Sequence, residues 1–218
     1  MNDKQIHLVV RRLRENMKQW HMPIVSHLAE MGHDPFKILI STLLSLRTKD
    51  ETTTEATVRL FHLAQTPAEM LQLPEAVVIE AIYPVGFYRN KAKTIHDICR
   101  ELIDRYASRV PDDVETLLTL KGVGRKTANL VIALGYGKPA ICVDTHVHRI
   151  SNRLGYVDTK NPEQTEQALR AKLPIPYWML YNTLLVAFGQ HICRPVSAFC
   201  SRCSVYECCD RKDVSKYR

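Results

Sequence analysis

The chain has 218 residues, 45% of them hydrophobic and 24% charged, proportions that exclude a disordered, collagen-like or coiled-coil polypeptide. Lys and Arg number 30 against 23 Asp and Glu, a formal net charge of +7 that suits a polyanionic partner, nucleic acid ahead of a membrane. No apolar run approaches the roughly 20 residues needed to span a bilayer, and the opening Met1-Asn2-Asp3-Lys4-Gln5 lacks the basic-then-apolar pattern of a signal peptide. The expectation is a soluble, monomeric protein of a reducing cytosol.

In chain order the reading is helical almost throughout. Ile6, Val9, Val10, Leu13, Met17 and Trp20 recur at steps of three and four, the apolar stripe of an opening helix. A break follows at Pro23, and Asp34-Pro35 starts an apolar helix over Phe36 to Leu46. Helical spacing recurs near 50–63, 67–72, 74–82, 90–106 and 112–120, with breaks at Thr66-Pro67, Leu73-Pro74 and Val110-Pro111. Further helices fit Arg125–Leu134, closed by Gly135 and Gly137, then His146–Leu154, Pro162–Leu173 and Tyr177–Gln190. Val/Ile/Thr alternation long enough for a sheet is absent, and the 8 glycines are few for a strand-and-turn fold. An all-α chain of about ten short helices is expected.

In the phrase LLTLKGVGRKTANLV, Gly122 and Gly124 flank Val123 between two short helices. Such a turn exposes backbone N–H groups at the start of the second helix, where the helix dipole also favours an anion such as a DNA phosphate. An ordinary helix connection fits the same letters. Lys126 follows, and 18 residues later comes Asp144 in VDTHVHRISNRLG. Capping is the plain explanation of Asp144, and a solvated helix lysine that of Lys126. The sharper expectation makes Lys126 a nucleophile and Asp144 its carboxylate partner, which requires the amine to lose its proton by burial, nearby cations or a base.

Five of the seven cysteines fall between Cys193 and Cys209. In a reducing compartment such clusters bind metal rather than forming disulfides. Cys193, Cys200, Cys203 and Cys209 give C-x6-C-x2-C-x5-C, which zinc, iron or an iron–sulfur cluster would satisfy.

From the LLS phrase near Leu43 to the last cysteine, the chain resembles the endonuclease III family of DNA glycosylases. LKGVGRKTANLVIALGYGKPAICVDTHVHRISNRLG is similar to that family's helix-hairpin-helix, Gly/Pro-rich loop and catalytic aspartate. The resemblance implies that Lys126 is the Schiff-base nucleophile, Asp144 the second catalytic group, and Cys193, Cys200, Cys203 and Cys209 the ligands of a 4Fe–4S cluster, with Cys208 extra. It implies two helical lobes around a DNA-binding groove. One is a helical barrel over 25–138 carrying the hairpin; the other joins 1–24 to 139–218 and holds the cluster loop, 193–209. The cluster takes the formal charge to about +5 and fixes a loop bearing Arg194, Arg202, Arg211 and Lys212 for phosphate contact. The implied activity is base excision: removal of oxidised pyrimidines from double-stranded DNA and β-elimination at the abasic site, in the cytoplasm or at a nucleoid. A monofunctional or mismatch-directed glycosylase, or a non-catalytic DNA-binding iron–sulfur protein, is the alternative.

Three positions depart from the family pattern. LLSLRTKD places Arg47 where a gap-filling glutamine is expected, and arginine can also fill the hole and bond an estranged base. GFYRNKA places Phe87 at the apolar wedge, larger than the usual leucine and able to stack on bases; Phe87 is expected outward and Tyr88 inward. Lys121 replaces a proline before the first hairpin glycine and adds a cation beside the phosphate path. The expected DNA contacts are therefore Arg47, Phe87, Lys121, Gly122, Val123, Gly124 and Arg125.

Overall fold

The computed structural model describes Met1, residues 3–18, Trp20 and residues 34–218; the break expected at Pro23 and a lobe boundary at 24/25 lie outside them. Contacts divide the chain into two compact units, Ile24–Lys138 and Met1–Pro23 with Pro139–Arg218. The described residues form helices, with a single isolated bridge between Ala198 and Tyr217.

The Ile24–Lys138 unit is built around α2 (Pro35–Ser45), started by the Asp34 carboxylate, which accepts from Phe36 N at 2.9 Å. Eight of its eleven residues are buried, as expected of a helix apolar on every face. Helices α3 (Asp50–Leu63), α4 (Pro67–Gln72), α5 (Glu75–Ile82), α6 (Tyr88–Tyr106), α7 (Val114–Thr119) and α8 (Arg125–Leu130) complete the unit. Thr66 and Asp113 cap α4 and α7 through side-chain oxygens, the usual answer to unpaired first-turn N–H groups. Helix α2 packs on α3, α6 and α8. The helix expected over Arg125–Leu134 keeps α geometry only to Leu130; Val131–Gly135 widen into a π turn. Gly135 sits there against Pro35, where a Cβ would meet the proline Cα at 3.0 Å.

In the other unit, α1 (Asp3–Met17) buries Ile6, Val9, Val10 and Leu13. Each such side chain contributes about 1.5–3 kcal/mol when fully buried. Their partners come from the far end of the chain: α9 (Thr145–Arg153), α10 (Pro162–Lys172) and α11 (Trp178–His191), with Ile150, Leu154, Tyr181, Leu184 and Phe188 in one core. After α11 the chain folds into a loop with short turns at Cys200–Arg202 and Tyr206–Cys208. Helix α1 holds this loop through Arg12, which donates to Ser204 O at 2.8 Å.

Candidate functional site

Helix α7 leads into the turn Leu120-Lys121-Gly122-Val123, and Gly124 is the N-cap of α8. Gly122 has φ +79°, and a Cβ there would lie 2.8 Å from the Thr94 methyl on α6, so both the left-handed backbone and the close approach require glycine. Val123 is only 6% exposed, and its N–H donates to Leu120 O at 3.1 Å. Its side chain packs on the core side of the turn. At Gly124 no side chain caps α8, leaving a helix start of backbone alone, the arrangement that receives an anion. Lys121 Nζ reaches Asp97 on α6 at 2.9 Å, and Arg100 reaches the same carboxylate at 3.2 Å. The Lys121 hydrogen bond is the main reason the Asp97 carboxyl lies below its usual range. Lys121 thus ties the hairpin to α6. Arg125 is exposed and 3.9 Å from Glu115, and Lys126 is half-buried in the first turn of α8.

Asp144 caps α9, in the other unit. Its Oδ1 accepts from His146 N and from Val147 N, both at 2.9 Å. The cap does not compete with a chemical role: it fixes the carboxylate's direction and sets it at the positive end of the helix dipole. His146 packs against Gly189, its ring lying where a Cβ there would be, with Nδ1 3.1 Å from Arg149.

Arg47 and Phe87 stand at two neighbouring loop tips of the Ile24–Lys138 unit. Both are exposed, Phe87 at 59%, and the guanidinium lies 5.6 Å from the ring centre, a cation–π contact. Their φ values are +55° and +58°, left-handed geometry that costs a non-glycine residue about 1–2 kcal/mol. Such strain persists where surrounding structure enforces it. Tyr88 is half-buried, edge-on to Tyr83 at 5.3 Å. The enforcing contacts include a side chain that the sequence reading passed over, Lys91 in the GFYRNKA phrase. Its Nζ donates to Leu44 O at 2.9 Å and Leu46 O at 2.6 Å, and burial lowers its pKa to about 8.

The thiols of Cys193, Cys200, Cys203 and Cys209 line one cavity, with Ile150, Leu154, Phe188 and Val205 as apolar wall and Arg153 and Arg211 beside them. Cys208 points into the hydrophobic core instead, and His191 stacks on Trp20 at 5.4 Å. Backbone and guanidinium groups serve the sulfurs: Arg211 N donates to Cys209 Sγ at 3.4 Å, and Arg153 to Cys193 Sγ at 3.6 Å. Arg153 also clamps the carbonyls of Arg194 and Pro195, both at 2.7 Å. Burial, then the charges of the neighbouring cysteines, push the Cys203 thiol up to about 12; burial likewise raises Cys200 and Cys209. Sulfurs that oppose one another's ionisation in this way become thiolates together only around a cation. Among the described residues, no three His, Cys, Asp or Glu side chains close on a point that would hold a single ion.

Residues 40–174 match the HhH-GPD superfamily of base excision DNA repair proteins. Endonuclease III of Thermotoga maritima is 49% identical over 177 residues, 81% of this chain and 83% of that protein. A non-covalent endonuclease III–DNA complex superposes with a TM-score of 0.85 at 33% identity, covering 97% of this chain and 96% of the other. A trapped covalent endonuclease III–DNA intermediate, a complex with an estranged adenine, gives 0.84 at 32% identity and covers 97% of each chain.

Proposed function

Because the chain belongs to the endonuclease III family of the HhH-GPD superfamily, we propose that it is a bifunctional DNA glycosylase and abasic-site lyase acting on oxidised pyrimidines in duplex DNA. The observation that carries the reading is Lys126, half-buried in the first turn of a helix whose start is uncapped and whose preceding turn only Gly122 can make. A non-catalytic hairpin needs neither Lys126 nor Asp144 at this spacing, and a monofunctional glycosylase needs no amine nucleophile. The covalent intermediate recorded for an endonuclease III relative supports the same chemistry.

In the proposed reaction the start of α8 and the surrounding cations hold the duplex by its phosphates, and the damaged nucleotide leaves the stack, least costly for a poorly stacked base. Phe87 and Arg47 enter the vacated space. The Lys126 amine attacks C1′; the C1′–N glycosidic bond breaks, and the base departs with a proton. The Asp144 carboxylate stabilises the positive charge developing on the sugar. Loss of a proton from the nitrogen and ring opening give a Schiff base, which acidifies C2′. Removal of a C2′ proton expels the 3′ phosphate, and water hydrolyses the imine to free Lys126.

Cys193, Cys200, Cys203 and Cys209 would hold a 4Fe–4S cluster, and their donor set and spacing fit one. When bound, it supplies four cationic anchor points for the loop. The chain's own part is to present Arg194, Arg202 and Arg211 around it; the first two stack on Phe199 at 5.1 and 4.5 Å.

The test is borohydride trapping on duplexes bearing an oxidised pyrimidine or an abasic site, with Lys126→Ala in parallel. Adducts on both substrates, absent in the variant, are expected. Base release with no adduct would identify a monofunctional glycosylase and refute the lysine mechanism.

A further inference from the structure

Lys91 is a half-buried cation, and among the described residues its ammonium is held by two carbonyls and a hydroxyl. Its ammonium spans two loops: Leu44 O, Leu46 O and Thr48 Oγ1, the last at 3.4 Å, belong to the segment that carries Arg47. Its own backbone belongs to α6, which begins right after Phe87, and Lys91 N donates to Phe87 O at 3.0 Å. The opposite side of the junction is also closed. Gly86 N donates to Thr48 Oγ1 at 3.1 Å, and a Cβ on Gly86 would lie 2.5 Å from Arg47 O. The two tips thus meet at backbone distance around one hydroxyl and one ammonium. Leu44, Leu46 and Thr48 close the end of α2, where unpaired carbonyls attract a cation.

We propose that Lys91 is a positioning residue for the DNA gap: by tying the end of α2 to the start of α6, it holds Arg47 and Phe87 as one preformed wedge. This rests on the glycosylase reading above. The wedge acts only where a duplex has a hole to fill, so losing Lys91 weakens action on duplex DNA and spares an abasic site in a single strand, which has no stack and no opposite base. A purely structural lysine would affect both substrates alike.

The experiment compares wild type, Lys91→Met, Lys91→Arg and the milder Thr48→Val, which removes the shared hydroxyl and keeps the fold in case Lys91→Met does not. Trapping rates are measured on one abasic sequence as duplex and as single strand. Gap entry is read separately from the fluorescence of 2-aminopurine placed opposite a non-cleavable tetrahydrofuran site. We expect a fall of tenfold or more on duplex for Lys91→Met, a change within twofold on the single strand, and loss of most of the 2-aminopurine response. Thr48→Val falls between, and Lys91→Arg recovers part of the duplex rate. Equal rates on duplex, or equal losses on both substrates in a folded variant, would overturn the proposal. If wild type traps neither substrate, the lyase reading fails, and the 2-aminopurine response alone still decides the role of Lys91.

Discussion

Replacing Asp144 by Asn and by Ala separates its two roles. Its Oδ1 receives two first-turn N–H groups of α9 at 2.9 Å. Asn keeps an oxygen at that position and ranks with Asp as an N-cap, so Asp144→Asn changes stability by no more than a few tenths of a kcal/mol. Asp144→Ala leaves both donors without the carboxylate and costs about 1 kcal/mol, a fall in melting temperature of about 2–4 °C for a chain of this length. Neither variant offers a negative charge to a developing sugar cation, so both lose borohydride trapping by about 10²-fold, the usual cost of removing one transition-state electrostatic partner. Thermal unfolding and trapping on a duplex bearing an oxidised pyrimidine measure the two effects independently. An Asn variant that traps at the wild-type rate would reduce Asp144 to a helix cap. One as unstable as the Ala variant would show that α9 depends on the carboxylate's charge and not on its acceptor geometry.

Gly122→Ala, at φ +79° and against Thr94, is expected to destabilise the protein by about 1–2 kcal/mol and to weaken duplex binding. Gly124→Ala has nothing within 4 Å of the new Cβ and changes stability by at most about 0.5 kcal/mol; chemical unfolding and a binding titration read both. Cys203→Ser abolishes the brown absorbance of purified protein, while Cys208→Ser, whose side chain lies in the core and off the cavity, retains it; loss of colour in both would break the ligand assignment. Burial raises the Cys99 thiol from 9.0 to about 12. The folded state therefore binds that proton more tightly than the unfolded state, and stability is lost as pH rises from 9 towards 12, by up to about 1.4 kcal/mol per pH unit. Denaturant midpoints across that range are expected to fall less steeply in Cys99→Ala.

Much of the fold was legible because its signals are local. Asp34-Pro35, Thr66-Pro67 and Asn161-Pro162 each became a capped helix start, since a cap and its amides lie within three residues of one another. The opening stripe buries Ile6, Val9, Val10 and Leu13 as its period predicts. The π turn at Val131–Gly135 was not legible; it ends where Gly135 packs against Pro35, 100 positions away in the chain. The ion pair of Lys121 with Asp97, 24 positions away, was likewise not legible in the sequence.

By itself the sequence determined an all-helical chain, a glycine hairpin followed by a lysine, an aspartate at a helix start, and four cysteines at ligand spacing, together with the family these residues mark. Each depends on residue identity and short spacing along the backbone. Only the tertiary structure decided that Val123 faces the core, that Cys208 turns away from the thiol cavity, and that the Arg47 guanidinium lies over the Phe87 ring beside the carbonyls that Lys91 binds. Those outcomes depend on which groups meet across 40 or more residues at Arg47, Phe87 and Lys91, or on which side of a turn the core lies. Burial and close approach settle such questions, and a string of letters carries neither.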